Sequence, residues 1–256
     1  DASDGKFQRR IEGRSRPTLS TRARKRSESY TDIVVDVIRD RILDLTLEPG
    51  KRIDDKLFME QFGLSKTPIR EALNRLATDG LIDLHPNRGA YVRPLDLDDV
   101  RQFFEAYITS ERTIGYLCDT NDPDLAMDLE QIEVKLSEAY AERNYLLICT
   151  QNADFHLRLA QAMNNTYIFD FCAKLHRLAR RISLYVFLHE PNSTMNYDRF
   201  SRTNNDAHNK IIQQVSNGDN VAMIDNLTSH AMLFRDRIVK VISQTRSQEM
   251  PIRPPE

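Results

Sequence analysis

The apolar residues near the start of the chain recur at the three- and four-residue spacing of amphipathic helices. The first such run covers residues 30–46 and is interrupted by Pro49-Gly50. A second, shorter run covers residues 54–62 and stops at Gly63, whose missing side chain suits a left-handed helix end. This pattern predicts two helices separated by a turn.

A third run starts at a tight turn and has two contrasting faces. One face is apolar at helical spacing and carries Ile69, Ala72, Leu73 and Leu76. The other face offers hydroxyl, cationic and amide groups on Ser65, Lys66, Thr67, Arg70 and Asn74. A serine or threonine before a helix is usually only an N-cap, and exposed cations are usually only solvated. Their combination on one helix is typical of a helix that enters a DNA groove.

Two short apolar runs, residues 81–84 and 90–93, flank a turn of Pro, Asn and Gly residues within positions 85–89. Such a pair of runs predicts a β-hairpin. Three helices followed by a hairpin form a winged helix-turn-helix, which we expect over residues 29–94.

Residues 95–245 show helical periodicity throughout and no convincing strand pattern. Six helices are predicted, over about residues 97–118, 123–141, 144–163, 166–188, 197–217 and 220–243. The expected fold class is therefore mainly α, with an N-terminal winged helix-turn-helix and a C-terminal all-helical antiparallel bundle.

Three histidines fall on the inward faces of three different predicted helices. They are His156, His208 and His230, and Asn152 lies one turn before the first of them. A single inward histidine is more often a hydrogen-bonded core residue than a ligand. Three of them favour a metal site, because neutral imidazoles bind zinc, nickel or similar ions and helix bundles build such sites from facing helices.

Composition adds two expectations to this pattern. The 256 residues carry a net charge of −2, yet residues 1–28 hold nine Lys/Arg against four Asp/Glu. Such a basic segment fits either attraction to phosphates or a solvated leader, and we expect residues 1–28 to be disordered and residues 246–256 to be frayed. No apolar run approaches the roughly 20 residues of a membrane span, and three scattered cysteines indicate a reducing compartment. We therefore expect a cytoplasmic protein with no membrane partner.

Three segments resemble the GntR family of bacterial repressors, namely residues 42–50, 65–73 and 79–89. The resemblance implies binding to double-stranded DNA through Lys56, Ser65, Lys66, Thr67, Arg70, Arg88 and Gly89. Lys56 and Lys66 stand where the family usually has arginine. Because lysine cannot form the bidentate fork of arginine, direct base recognition is expected to depend on Arg70. Leu45 stands where a turn glycine is common, and we expect it to extend the first helix.

The spacing of Asn152, His156, His208 and His230 resembles that of the FCD effector domain of FadR-type GntR regulators, in its six-helix, VanR-like form. The resemblance implies that these four residues bind a divalent metal ion and that a homodimer senses a small carboxylate effector. Asn152 stands where aspartate is frequent, so we expect weaker retention of the metal.

A second departure from the FCD pattern concerns the effector. Tyr107 stands where the family commonly has an arginine that pairs with the effector carboxylate. Because tyrosine carries no charge, the effector is expected to be held by the metal and Tyr107, or by another cation such as Arg177 or Arg181. His176 is expected to pack in the core rather than to face the effector.

The sequence leaves two alternative functions open, a metal-dependent hydrolase and a pure metal sensor. It contains no His-Glu-x-x-His motif, and nothing in it brings a carboxylate such as Glu105 or Glu111 to the histidines. We therefore expect no enzyme but a ligand-responsive transcription regulator, acting as a repressor on a two-fold symmetric operator.

Overall fold

The computed structural model describes residues 29–190 and 194–249, so the predictions for residues 1–28 and 250–256 lie outside it. The described part contains nine helices and one three-stranded sheet, which confirms the mainly α fold class. In chain order the elements are α1 (Tyr30–Leu43), β1 (Arg52–Ile53), α2 (Asp55–Phe62), α3 (Lys66–Thr78), β2 (Ile82–His85), β3 (Gly89–Val92), α4 (Leu97–Leu117), α5 (Leu125–Ala141), α6 (Tyr145–Gln161), α7 (Thr166–His189), α8 (Thr194–Asn217) and α9 (Asn220–Glu249). None of these helices combines the length and the apolar character that crossing a membrane requires.

The N-terminal module has the predicted three helices and hairpin. α1 begins with a capping box between Ser29 and Asp32, and α2 ends at Gly63 with a φ of 64°. The antiparallel sheet has the order β1-β3-β2. The sequence pattern does not predict β1, because a two-residue strand has no periodic signal. The core of the module is formed by buried side chains that include Val34, Ile38, Ile42, Phe58, Ile69, Leu76 and Val92.

The turn after α1 differs from the prediction. The helix ends at Leu43, so the expectation that Leu45 extends it is wrong. Leu45 has a φ of 61°, in the left-handed region that usually favours glycine. Its side chain packs against an apolar cluster of the helical domain that includes Leu136, Tyr140 and Phe187. A glycine could not make this contact, which offsets the backbone strain.

The six predicted helices of the C-terminal domain are all present. Most of their ends lie within about three residues of the predicted ones, but α9 continues to Glu249 instead of ending near residue 243. Residues 246–249 are therefore helical rather than frayed. α4 and α9 make the most extensive contact of the domain. They approach closely because Gly115 has no side chain where it meets Ile224.

One helix of the C-terminal domain, α7, also packs against the N-terminal module. Leu178 contacts the core of the winged module and the core of the helical domain. Lys174 donates a hydrogen bond of 3.0 Å to the carbonyl oxygen of Thr78, the last residue of α3. Arg181 is fully buried, and its guanidinium donates to the carbonyl oxygen of Arg93, just after β3.

Gly115→Ala tests the close approach of α4 and α9. A Cβ atom at this position would lie 2.9 Å from Cα of Ile224 and 3.0 Å from its backbone nitrogen. Alanine favours a helix by up to about 1 kcal/mol over glycine, but we expect the clash to give a net destabilisation of about 1–3 kcal/mol. The measurement is the urea midpoint at constant m value. The neighbouring exposed substitution Tyr116→Ala should change stability by less than about 0.5 kcal/mol, and an equal effect of both would contradict this packing.

Candidate functional site

The N-terminal end of α3 presents polar groups to solvent. Ser65 occupies the N-cap position, but its hydroxyl makes no capping hydrogen bond. The hydroxyl and the first backbone N–H groups of α3 are therefore available to an anion such as a phosphate. Lys66, Thr67 and Arg70 are exposed on the same helix, and Ile69 points into the core. Within the described residues neither Lys66 nor Arg70 has an ion-pair partner.

The hairpin and α2 add further exposed cations. Arg88 lies in the β2–β3 turn, and Gly89 begins β3 with a φ of 96° that suits glycine. The Arg52 side chain runs beside this turn, and a Cβ at Gly89 would lie 3.5 Å from its Nε. Lys56 is exposed in the first turn of α2. Arg52 is not predicted from the sequence, because the strand that positions it is too short to recognise.

In the helical domain the three predicted histidines meet. His156 of α6, His208 of α8 and His230 of α9 each offer a ring nitrogen, and these atoms all lie within 4.8 Å of one another. The ring centroids of His156 are 5.5 Å from His208 and 5.3 Å from His230, and the latter two are 5.0 Å apart. The first two side chains are fully buried, whereas His230 is partly accessible from a neighbouring cavity.

Glu133 of α5 orients His208. Its Oε2 accepts a hydrogen bond of 2.8 Å from Nδ1 of His208, which leaves Nε2 of that ring buried without a partner. A carboxylate behind a histidine is the usual support for a metal-ligating imidazole. Burial raises the pKa of Glu133 to about 8. The sequence signal for Glu133 is a lone carboxylate on an apolar helix stripe, between Leu129 and Leu136.

Glu111 of α4 contacts two histidines. Its Oε2 lies 2.8 Å from Nδ1 of His156, and its Oε1 lies 3.0 Å from Nε2 of His176. Burial by itself raises the pKa of Glu111, but the contacts with the two imidazoles outweigh it and hold the pKa below its usual value. The sequence alone does not bring Glu111 here, although it lies on the buried stripe of α4.

His176 is buried, as expected, but it is not merely a core residue. It approaches Glu111, stacks on His156 with ring centroids 5.2 Å apart, and borders the cavity. Sequence spacing places His176 four residues after Cys172 and leaves its partner undefined. Only the packing of α7 against α4 and α6 identifies the residues that it meets.

His208 and His230 are held neutral. Burial, reinforced by the neighbouring imidazoles, lowers the pKa of His208 well below its usual value. Burial is also the main reason that the pKa of His230 falls to about 3. Neutral imidazole is the form that binds metal ions.

The donor set fits a divalent metal ion. Nε2 of His208 and both ring nitrogens of His156 are buried without hydrogen-bond partners among the described residues. Such unpartnered nitrogen donors, converging from three helices, are suited to zinc or nickel. Asn152 lies one turn before His156 and borders the cavity, so its amide faces the same region.

A cavity of about 490 Å³ opens beside the histidines, a size suited to a small metabolite. Its wall includes His176, His230, Asn152, Tyr107, Arg180 and Asn204. The Nε atom of Arg180 and the Nδ2 atom of Asn204 are buried without a hydrogen-bond partner in the described structure. Tyr107 keeps its proton, because burial raises the pKa of its hydroxyl well above the usual value.

Neither Arg177 nor Arg181 lines this cavity, so a contact of either with the effector stays a prediction. The cavity face of α7 carries His176, Arg180 and Ser183. Successive residues of a helix point about 100° apart. Arg177 and Arg181 directly follow His176 and Arg180, so they point away from the cavity. Arg181 consequently faces the winged module.

Comparison with known proteins agrees with both parts of the fold. Residues 31–92 match the model described as "Bacterial regulatory proteins, gntR family", and residues 111–232 match the FCD domain. The HTH-type transcriptional repressor RspR of Escherichia coli K12 is 24% identical over 159 residues, 60% of this chain and 68% of that protein. The gluconate operon transcriptional repressor of Bacillus subtilis is 28% identical over 222 residues, 83% of this chain and 85% of that protein.

The fold is also seen in a crystal structure. A GntR-type regulator from Rhodococcus sp. RHA1, described there as putative, covers 83% of this chain and 99% of its own length. It has a TM-score of 0.70 and 22% sequence identity, which indicates a shared fold.

The lowered pKa values of His208 and His230 predict that acid destabilises the metal-free protein. Below a pH of about 6.5 the unfolded chain binds more protons than the folded one at these two sites, so stability falls as pH falls. We expect a loss of about 1.4 kcal/mol per pH unit for each histidine between about pH 6 and pH 4.

The measurement is the free energy of unfolding as a function of pH, in the presence of a chelator. His230→Gln should reduce the slope by one proton, because glutamine does not titrate. His189→Gln, which replaces an exposed histidine outside this centre, is the matched control for the substitution itself. An unaltered slope in His230→Gln would show that this imidazole is not held neutral by the fold.

Proposed function

We propose that this chain, which belongs to the gntR family of bacterial regulatory proteins and carries an FCD domain, is a cytoplasmic transcriptional repressor controlled by a small carboxylate. Repression is supported by relatives in Escherichia coli and Bacillus subtilis that are named repressors. One observation supports this control mechanism: α7 borders the cavity on one face and contacts the DNA-binding module on another.

In the proposed complex, α3 enters the major groove of the operator. Arg70 contacts a base edge, and Ser65, Lys66 and Thr67 contact phosphates and neighbouring bases. The uncapped hydroxyl of Ser65 supports this role. The wing, with Arg88 and Gly89, follows the adjacent minor groove, and Lys56 binds a phosphate.

The proposed active form is a homodimer on a two-fold symmetric operator. Each winged module binds one half-site, and the distance between modules sets the spacing of the half-sites. The three-helix module with its wing has the size of a single half-site reader, which supports a pair of them.

The helical domain is proposed to bind a divalent ion through Asn152, His156, His208 and His230. When bound, the ion supplies open coordination positions that accept a carboxylate oxygen. Arg180 and Asn204 offer buried, unpartnered N–H groups to the rest of the anion. The hydroxyl of Tyr107 donates a further hydrogen bond.

Binding is proposed to reach the DNA through α7. On its cavity face Arg180 meets the effector, and on its other faces Lys174 and Arg181 hold the end of α3 and the residue after β3. A shift of α7 therefore changes the position of the recognition helix. The effector must bind one arrangement more tightly than the other, because equal affinities shift nothing.

Arg70→Ala tests the DNA-binding assignment. A duplex is first selected from a randomised library with the wild-type protein, and affinities are then measured by fluorescence anisotropy. Loss of one base contact should weaken binding by about 1–3 kcal/mol and relax preference at one base position. Arg112→Ala, an exposed arginine of α4, is the control and should bind as wild type does. Equal affinities for Arg70→Ala and Arg112→Ala would refute the role of Arg70.

Zinc addition tests the metal centre. Because only the folded chain brings the histidines together, zinc at a hundredfold excess over Kd should stabilise metal-free protein by about 2.7 kcal/mol. The shift in Tm should be strongly reduced in His208→Ala and preserved in His189→Ala. A shift that is the same in both variants would place zinc elsewhere on the chain.

A further inference from the structure

A second group of metal-ligating atoms meets at His156. It consists of Glu111 from α4, His156 from α6 and His176 from α7, and one ligand atom from each lies within 4.8 Å of the others. All three side chains are at most 1% exposed. The set does not include His208 or His230, so it is distinct from the group on which the proposed function depends.

The contacts within this group leave its polar atoms unsatisfied. Both oxygens of Glu111 and both ring nitrogens of His156 and of His176 have no hydrogen-bond partner in the described residues. Four of these six atoms form the close N···O pairs of 2.8 and 3.0 Å, whereas Nε2 of His156 and Nδ1 of His176 stay buried without a partner, which is unfavourable. The group therefore lacks a component that would accept lone pairs from all three side chains at once.

We propose that Glu111, His156 and His176 bind a second divalent cation, beside the one proposed for His156, His208 and His230. Two ligand atoms about 2.1 Å from one ion and at right angles to each other lie about 3 Å apart, as the nitrogens and oxygens do here. Two histidines and one carboxylate form a common donor set for zinc, nickel or ferrous iron.

His156 takes part in both groups through its two ring nitrogens. Nδ1 faces Glu111, which leaves Nε2 for His208 and His230. Occupation of both positions removes the remaining ring proton to solvent, and the ring then bridges the two ions as an imidazolate. The buried carboxylate of Glu111 and the imidazolate supply two negative charges that reduce the repulsion between the cations.

The second position is accessible from the effector cavity. His176 and His230, one from each group, both border it. A carboxylate in the cavity can thus approach either ion. The inference rests on the proposed function only through the shared His156.

The test counts zinc ions on the full-length chain. Metal-free protein is dialysed against zinc and its metal content is measured by native mass spectrometry and elemental analysis. We expect two ions per wild-type chain and one in Glu111→Gln, in His176→Asn and in His208→Ala. The matched control is His189→Asn, an exposed histidine of the same helix as His176, which should retain two ions.

Two further measurements make the result decisive. Circular dichroism shows whether each variant keeps its helical content, and His176→Asn replaces Glu111→Gln if the latter unfolds. Cobalt titration of the wild type should give two successive visible absorption changes, of which Glu111→Gln lacks one. A single ion in the wild type, lost in His208→Ala but kept in Glu111→Gln, would overturn the second site and leave the proposed function intact.

Discussion

Ionisable side chains buried in an apolar bundle need partners, and this requirement organises the C-terminal domain. Six helices deliver histidines or carboxylates to one region, where burial strips the charged forms of their hydration. His208 and His230 respond by remaining neutral, and Glu133 responds with a raised pKa while it accepts a hydrogen bond from His208. The result is a set of electron-pair donors with few internal acceptors, which is the chemistry of a cation site.

Helix α7 connects this chemistry to the DNA-binding surface because successive faces of one helix point to different neighbours. His176 and Arg180 face the cavity, whereas Lys174 and Arg181 bond to backbone carbonyls of the winged module. A rigid helix of 24 residues cannot move on one side without moving on the other. The connection needs no relay of side chains between the two sites.

Much of the fold and part of the site follow from sequence periodicity. The helix pattern predicts the elements, and the inward positions of His156, His208 and His230 bring them together, because local spacing defines which face each residue occupies. The partners Glu111, Glu133 and His176 do not follow from spacing, because their roles depend on which helices pack together.

The same distinction explains the position of Arg181, which lies one residue away from the cavity face and contacts the winged module. It also explains Leu45, whose backbone conformation is stabilised by a contact with a distant part of the chain. Local sequence preference predicts neither the position of Arg181 nor the backbone conformation of Leu45, because each depends on contacts with the other domain.

The packing of Leu45 also bears on how such regulators can be recombined. This residue leaves the winged module and lies against Leu136, Tyr140 and Phe187, the last two of which also line the cavity of the helical domain. A chimaera that grafts this module onto a foreign sensory domain would therefore lose the partner of a strained turn as well as the carbonyl contact of Arg181. The winged module of this chain is therefore exchangeable only together with the surface on which it rests.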